Sequence, residues 1–418
     1  FDFDLLDPTK LIPEELVPVT IIGRMVLNKN PDNFFAETEQ IAFHPGHIVP
    51  GIDFTNDPLL QGRLFSYTDT QLKRLGSPNF HEIPINRAIS PTHNNQRDGH
   101  MRQEINIGRV SYHPNSLGGG CPYQAMISEG GFTSFNERIE AHKVRERSES
   151  FSDHFTQARM FYLSQTPVEQ NHIVKALSFE LGKVETTAIR IRMLGLLNQV
   201  NTSLAEKVAE ALGAIVPKNP EKPMNKGVGA DSVPGKHEPK EIEGPVITSD
   251  ALSMINNPTV TPTIASRKVA FICNDGISEI SIMNLKNELL KQDAKGFIIA
   301  PHLGFITSDT DTLIPVDFSF LTASSVLFDA VFIPDGQITF SLLENKNVIE
   351  FLTDAYKHCK IIGTEGNGIE LLREANLEDE GIFDDGIVIG ETPGNPDFAI
   401  QFITAMSSHR YWEREAAL

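Results

Sequence analysis

Hydrophobic and polar positions change rhythm several times along the chain. Val19 to Leu27 reads Val-Thr-Ile-Ile-Gly-Arg-Met-Val-Leu, a β-branched run that predicts a strand, and Asn30-Pro31-Asp32-Asn33 then breaks it. From Phe34 to about Ser150 Pro, Gly, Asn and His recur without a sustained period. Such a stretch is expected to wrap over another body rather than fold alone. Its one clear helix opens at Asp57-Pro58, where Asp caps and Pro fits the first turn. A different rhythm follows. Thr166-Pro167-Val168-Glu169 is a capping-box pattern, and Ile173, Leu177, Leu181 and Val184 then recur at helical spacing. Two more helices are predicted over Thr187 to Val200 and Ser203 to Leu212, giving a small helical domain over 151–213. Residues 214–266 are rich in Pro, Lys, Gly, Ser and Glu, with little apolar surface, and predict an extended linker. From Arg267 short apolar runs alternate with helical stretches. Val269 to Cys273, Gly296 to Ala300, Ala330 to Ile333 and Lys360 to Thr364 read as buried strands, with helices near 278–292 and 346–358. That alternation predicts, over 267–418, an open parallel sheet with helices on both faces, a doubly wound flavodoxin-like arrangement. The fold class expected overall is mixed α+β and α/β.

With 418 residues the chain is long enough for two or more domains, each with its own core. Its net charge of -19 opposes binding to nucleic acid or an anionic membrane, whereas a small neutral substrate would feel little of that field. The three cysteines, Cys121, Cys273 and Cys359, are scattered without metal-like spacing. Together with the lack of a membrane-length apolar run or a signal-peptide pattern, they favour a reduced, cytoplasmic setting. The sequence opens Phe1-Asp2-Phe3-Asp4 with no initiator methionine, so a cut within a longer protein is expected.

The helix beginning at Asp57 carries the most specific chemistry. Leu59, Arg63, Tyr67, Gln71 and Arg74 follow at steps of four, four, four and three, and so share one face. A phenol ordinarily ionises near ~10, so using it as an anionic ligand requires a neighbouring cation. Arg63, one turn before Tyr67, is placed to serve. A phenolate is a hard donor suited to ferric iron, and tyrosine is one of the proximal ligands of protein-bound haem. On spacing alone the pattern equally suits an amphipathic helix whose Arg and Tyr sit at a surface.

In its full context, Asp57-Pro58-Leu59-Leu60-Gln61-Gly62-Arg63-Leu64-Phe65-Ser66-Tyr67-Thr68-Asp69-Thr70-Gln71 closely resembles the proximal haem-ligand motif of haem catalases. The resemblance extends over essentially the whole chain, is strongest from Phe1 to about Arg87, and is to the later part of the large-subunit class. It implies disproportionation of hydrogen peroxide, with Tyr67 as the iron ligand, Arg63 stabilising its phenolate, and Asp57 in the same charge relay. Leu59, Ser66, Gln71 and Arg74 match haem-contact positions, joined by Phe43 and His44 of Phe43-His44-Pro45-Gly46. Where small-subunit catalases usually have Asp, this chain has His44. Some large-subunit members with His here join it covalently to the ligand tyrosine and convert haem b to haem d. A crosslink to Tyr67 and a buried, hydrogen-bonded histidine in a turn therefore both stand as readings of His44. The implied organisation is the end of a β-barrel over 1–30, a wrapping segment with the proximal helix over 31–150, then the helical domain, linker and C-terminal domain described above. The implied assembly is a homotetramer, with no NADPH. The distal histidine and asparagine of the family match nothing in this sequence, so the stretch alone is expected to be inactive.

Other motifs carry less. Gly118-Gly119-Gly120-Cys121 has neither a preceding strand nor a following Gly-Lys-Ser/Thr and reads as a turn. The C-terminal domain resembles the class I glutamine-amidotransferase-like fold of the PfpI type. Asp329-Ala330-Val331-Phe332-Ile333-Pro334-Asp335-Gly336 echoes that family's Asp-Ala-x-x-x-Pro-Gly-Gly turn, with Asp335 replacing a glycine. Its nucleophilic cysteine has no counterpart in Ile361-Ile362-Gly363-Thr364-Glu365-Gly366-Asn367-Gly368, so a catalytically dead domain is expected. A non-enzymatic, chaperone-like interaction fragment dominated by this domain is the competing reading, and a PfpI-like hydrolase a third.

Overall fold

The computed structural model describes residues 4–49, 51–89, 97–109, 126, 128, 133–140, 142, 149–224, 238–240, 247–258, 262–337, 340–377 and 384–417. The Gly118–Cys121 motif lies outside them. Two compact units emerge: residues 1–157 with 223–245, and 158–222 with 246–418.

The first unit is built around one long helix. α1 spans Pro58–Leu75; the Asp57 carboxylate accepts the Leu60 amide, and Pro58 occupies the first turn. It ends on Gly76, whose φ of 73° is the left-handed cap that glycine adopts without a Cβ clash. A π-helical turn over Phe35–Glu39 and a 3-10 turn over Phe80–Glu82 flank it. Ala42, Phe80 and Ile83 form a small core beneath, with Leu75 against it. The strand expected over Val19 to Leu27 does not form among the described residues. Ile21 is 90 % and Ile22 99 % exposed, and no ladder partner is present. β propensity describes how a side chain fits a pleated, half-covered surface, and without a neighbouring strand there is none to fit.

The second unit opens with helices. α2 (Thr156–Ser164) leads into α3 (Pro167–Gly182), which begins with the expected capping box, Thr166 and Glu169 satisfying each other's backbone amides. α4 (Thr187–Val200) and α5 (Thr202–Ala211) bury Leu194, Leu197, Leu204, Ala205 and Val208, against which Ile173, Leu177 and Leu181 pack. Glu169 does more than cap. Its carboxylate also accepts from the Ser253 hydroxyl and the Met254 amide, while Gln165 donates to the Leu252 carbonyl. The far end of the expected linker is thus pinned as a short 3-10 turn over Asp250–Leu252.

The parallel sheet follows. β1 (Lys268–Ile272), β2 (Lys295–Ala300), β5 (Phe318–Ser319), β6 (Ala330–Ile333), β7 (Ile361–Glu365) and β8 (Ile387–Gly390) lie in the order β5-β2-β1-β6-β7-β8. Each adjacent pair is parallel. β3 (Gly304–Thr307) and β4 (Leu313–Val316) form a separate antiparallel hairpin. α6 (Glu279–Lys291) and α10 (Pro396–Ser407) supply the core on one face. α8 (Lys346–Lys357) and α9 (Ile369–Glu374), after the single turn α7 (Phe340–Leu343), supply that on the other. Both faces being covered, strands such as Ala-Val-Phe-Ile of β6 are apolar throughout and wholly buried.

Candidate functional site

α1 brings two side chains, Arg63 and Tyr67, together with Phe43 from the preceding loop. The Arg63 Nη2 donates to the Tyr67 phenol oxygen at 3.1 Å. Its guanidinium carbon lies 5.0 Å from the Tyr67 ring centroid and 6.0 Å from that of Phe43. Phe43 meets Tyr67 edge-on, with centroids 5.5 Å apart and planes at 73°. Arg63 and Tyr67 are half-buried, whereas Phe43 (60 %) and Leu59 (53 %) stay exposed. A phenol oxygen facing a cation is thereby set beside uncovered apolar surface.

The remaining motif residues take other work. Asp57 caps α1, and the Thr55 hydroxyl and Leu60 amide hold its carboxyl below the usual range. No ion pair joins it to Arg63 among the described residues; the two are six positions apart, about 9 Å along the axis. Ser66 is exposed on the same helix. Gln71, 5 % exposed, donates to the Phe43 carbonyl at 2.9 Å and accepts from Arg74 at 2.6 Å. Arg74 also donates to the Glu39 carbonyl at 2.6 Å and to the Ile41 carbonyl. Both are turned toward the backbone of 39–43, although their spacing alone puts them on the face of Tyr67.

His44 lies half-buried at the start of a turn. The Thr68 hydroxyl gives its only proton to the Leu64 carbonyl (2.8 Å), so His44 Nε2, 2.7 Å from Thr68, must be the donor between them. Nδ1 in turn accepts the Gly46 amide at 2.8 Å. These partners define one neutral tautomer, and burial pushes the ring's pKa down, in keeping with it. The ring stacks on His47 at 4.5 Å, and both lie near 6 Å from Phe80. Its anchor is Thr68, the residue after Tyr67, which projects about 100° further around the helix.

The C-terminal sheet presents a second strand-end arrangement. β7 closes on Glu365, only 1 % exposed, which accepts from the Ser281 hydroxyl and the Gly394 amide; burial pushes its carboxyl up. Asp335 accepts the Asn367 amide at 2.7 Å. The order of the sheet reverses between β1 and β6, where open α/β sheets commonly take ligands. Here the loops after those strands are joined by backbone bonds, Gln337 to Gly276 (2.9 Å) and Ser278 to Asp335 (2.8 Å). Cys273 and Cys359 are buried, and burial raises both thiols above their ordinary range. Neither is an activated nucleophile.

Two groups escape sequence reasoning: Thr68, which anchors His44, and Asn86, whose amide bonds the Gln40 carbonyl and the Ala42 amide just before Phe43. Thr68 could have been suspected from its place beside Tyr67; Asn86 carries no signal of spacing or composition.

The fold and site therefore define a mixed α/β protein with a helix-borne tyrosine–arginine pair suited to an oxygen-ligated metal centre. Residues 1–119 match the catalase family, 148–212 the catalase-related immune-responsive family, and 265–416 the C-terminal domain found in long catalases. Catalase-2 of Bacillus subtilis is 46% identical over 99% of this chain and 56% of its own length. Catalase HPII of Pseudomonas putida is 46% identical (100% and 55%), and Catalase-B of Dictyostelium discoideum 41% identical (100% and 57%). Catalase-family domains thus account for most of the chain, which spans a little over half the length of the relatives it matches. Among the described residues no helix is long and apolar enough to cross a membrane.

Proposed function

We propose that this chain supplies the proximal side of a haem catalase that disproportionates hydrogen peroxide to water and oxygen, with Tyr67 as the iron ligand. The 3.1 Å bond from Arg63 to the Tyr67 oxygen carries the reading. A guanidinium N–H directed at that oxygen would offset the negative charge of a phenolate ligand on iron. The donor set fits haem: one phenol oxygen ligand beside the exposed ring of Phe43, with exposed Leu59 about two turns before Tyr67 on α1. When bound, the haem supplies the redox-active iron on which peroxide reacts. Phe43 and Leu59 would offer apolar surface to the macrocycle, Arg63 would hydrogen-bond the ligand oxygen, and Asp57 caps the helix that carries Arg63 and Tyr67. Ser66, Gln71 and Arg74 complete the proximal surroundings, the latter two through the segment that bears Phe43.

The same reading assigns 1–30 to the end of a β-barrel, 31–150 to a wrapping arm, 151–213 to a helical domain, 214–266 to a linker and 267–418 to an amidotransferase-like domain without catalysis of its own. It entails a cytoplasmic homotetramer that binds no NADPH. The haem is b, or d if His44 becomes joined to Tyr67. The test is haem loading and oxygen evolution of this chain beside a chain extended upstream. A tyrosinate–ferric spectrum, with rapid peroxide turnover confined to the extended chain, is expected. Haem absent from both, or present but indifferent to Tyr67→Phe, would refute the assignment and favour the interaction-fragment alternative.

A further inference from the structure

Beyond its opening turn the stretch from Glu39 to Phe43 shows no backbone partners, and side chains bond the carbonyls of Glu39, Gln40, Ile41 and Phe43 and the amide of Ala42. From α1, Arg74 donates to the carbonyls of Glu39 and Ile41, and Gln71 to that of Phe43. From the turn after Phe80–Glu82, Asn86 completes the set. Its Nδ2 donates to the Gln40 carbonyl at 2.9 Å, and its Oδ1 accepts the Ala42 amide at 2.8 Å. Nδ2 also reaches the Phe80 carbonyl at 3.0 Å, which ties the clamp to the small core of Ala42, Phe80 and Ile83. Phe43 is the last residue held in this way, and its ring is the one that meets Tyr67 edge-on and lies near the Arg63 guanidinium.

We propose that Asn86 is a positioning residue: together with Gln71 and Arg74 it clamps residues 39–43, and through Phe43 it sets the orientation of the Tyr67 phenol. The role in ligation rests on the reading of Tyr67 given above; the packing role does not. An amide side chain suits the task because one terminal group supplies a donor and an acceptor at the spacing of adjacent backbone groups. Removing it strands the Gln40 carbonyl and the Ala42 amide together, and a segment with no ladder of its own has nothing to replace them. The ring of Phe43, 60 % exposed and held from one side, is then free to leave Tyr67.

The test uses the full chain and two independent variants, Asn86→Ala and Gln71→Met, in two measurements. In the haem-free chain, the near-ultraviolet circular dichroism of Tyr67 is isolated by difference against Tyr67→Phe. Both variants are expected to lose most of that signal while the far-ultraviolet spectrum is retained. In haemin titrations both are expected to weaken binding about tenfold. They should add nothing further in a Phe43→Leu background, because their effect passes through that ring. Retention of the Tyr67 signal in both variants would overturn the clamp, and so would haemin effects additive with Phe43→Leu. Should Asn86→Ala fail to fold, Gln71→Met alone decides. Tyr67→Phe leaving haemin binding unchanged would sink the ligand assignment, and the dichroism would still decide the packing role.

Discussion

Replacing Arg63 by methionine keeps roughly the aliphatic stem of the side chain while deleting its charge and its donors. The structure gives the size of the loss. One hydrogen bond from a charged donor to the Tyr67 oxygen disappears, and such bonds contribute ~1.5–3 kcal/mol. Arg63 is half-buried, so water screens it and the lower end applies. The guanidinium over the Tyr67 ring at 5.0 Å adds ~0.5–1 kcal/mol. Together these come to about 2 kcal/mol, or roughly thirtyfold in haemin affinity if the anionic phenol is the ligand. The assay is a haemin titration of wild type, Arg63→Met, Tyr67→Phe and the double variant. Coupling is expected: once Tyr67 is phenylalanine, the arginine should cost almost nothing to remove. A loss within twofold of wild type, or one that persists in full beside Tyr67→Phe, would show that Arg63 does not act through the phenol.

Three further outcomes follow from the geometry. Burial, with His44 and His81 nearby, lowers the His47 pKa below its ordinary 6.5, so the unfolded chain takes up that proton first and stability falls as the pH drops from about 6.5; His47→Phe should flatten this limb in urea titrations against pH, and an unchanged slope would contradict it. Lys360 is pulled down to about 8, chiefly by burial, so between about pH 8 and 10.5 the unfolded state binds more protons and stability rises with pH; Lys360→Met should lose that rise in the same measurement, and parallel profiles would refute it. At Gly336, φ is 140° and an added Cβ would come within 2.6 Å of the Ile277 backbone, so Gly336→Ala should lower the thermal midpoint through a loss of at least ~1–3 kcal/mol, whereas an unchanged midpoint would mean the loop moves aside freely.

The Arg63–Tyr67 contact itself follows from helical spacing, since residues four apart on α1 are neighbours whatever the rest of the chain does. The capping box at Thr166 and the Asp57-Pro58 start of α1 were legible for the same reason, because each is a device completed within one turn. Gln71 and Arg74 show the limit. Their spacing puts them on the face of Tyr67, but their amide and guanidinium groups go to carbonyls some thirty residues back in the chain. β5 and β8 also escaped notice. β5 is only two residues long, whereas β8, Ile-Val-Ile-Gly, is a short β-branched run that the sequence did offer.

What the sequence alone determined is the local: which stretches are helical and where they start, that the C-terminal third alternates between buried strands and helices, and that a phenol and a guanidinium share a helix face. What only the tertiary structure decided is which polar groups find partners. His44 is neutral with its proton on Nε2 because Nδ1 accepts the Gly46 amide and Thr68 has already spent its proton on Leu64. Among the described residues Val19 to Leu27 forms no strand despite its β-branched composition, because a strand is stabilised by the ladder beside it rather than by its own residues. Phe43 reaches Tyr67 because Gln71 and Asn86, from two separate elements, hold the loop that carries it. Such contacts depend on backbone positions fixed by the whole fold, and no local pattern encodes them.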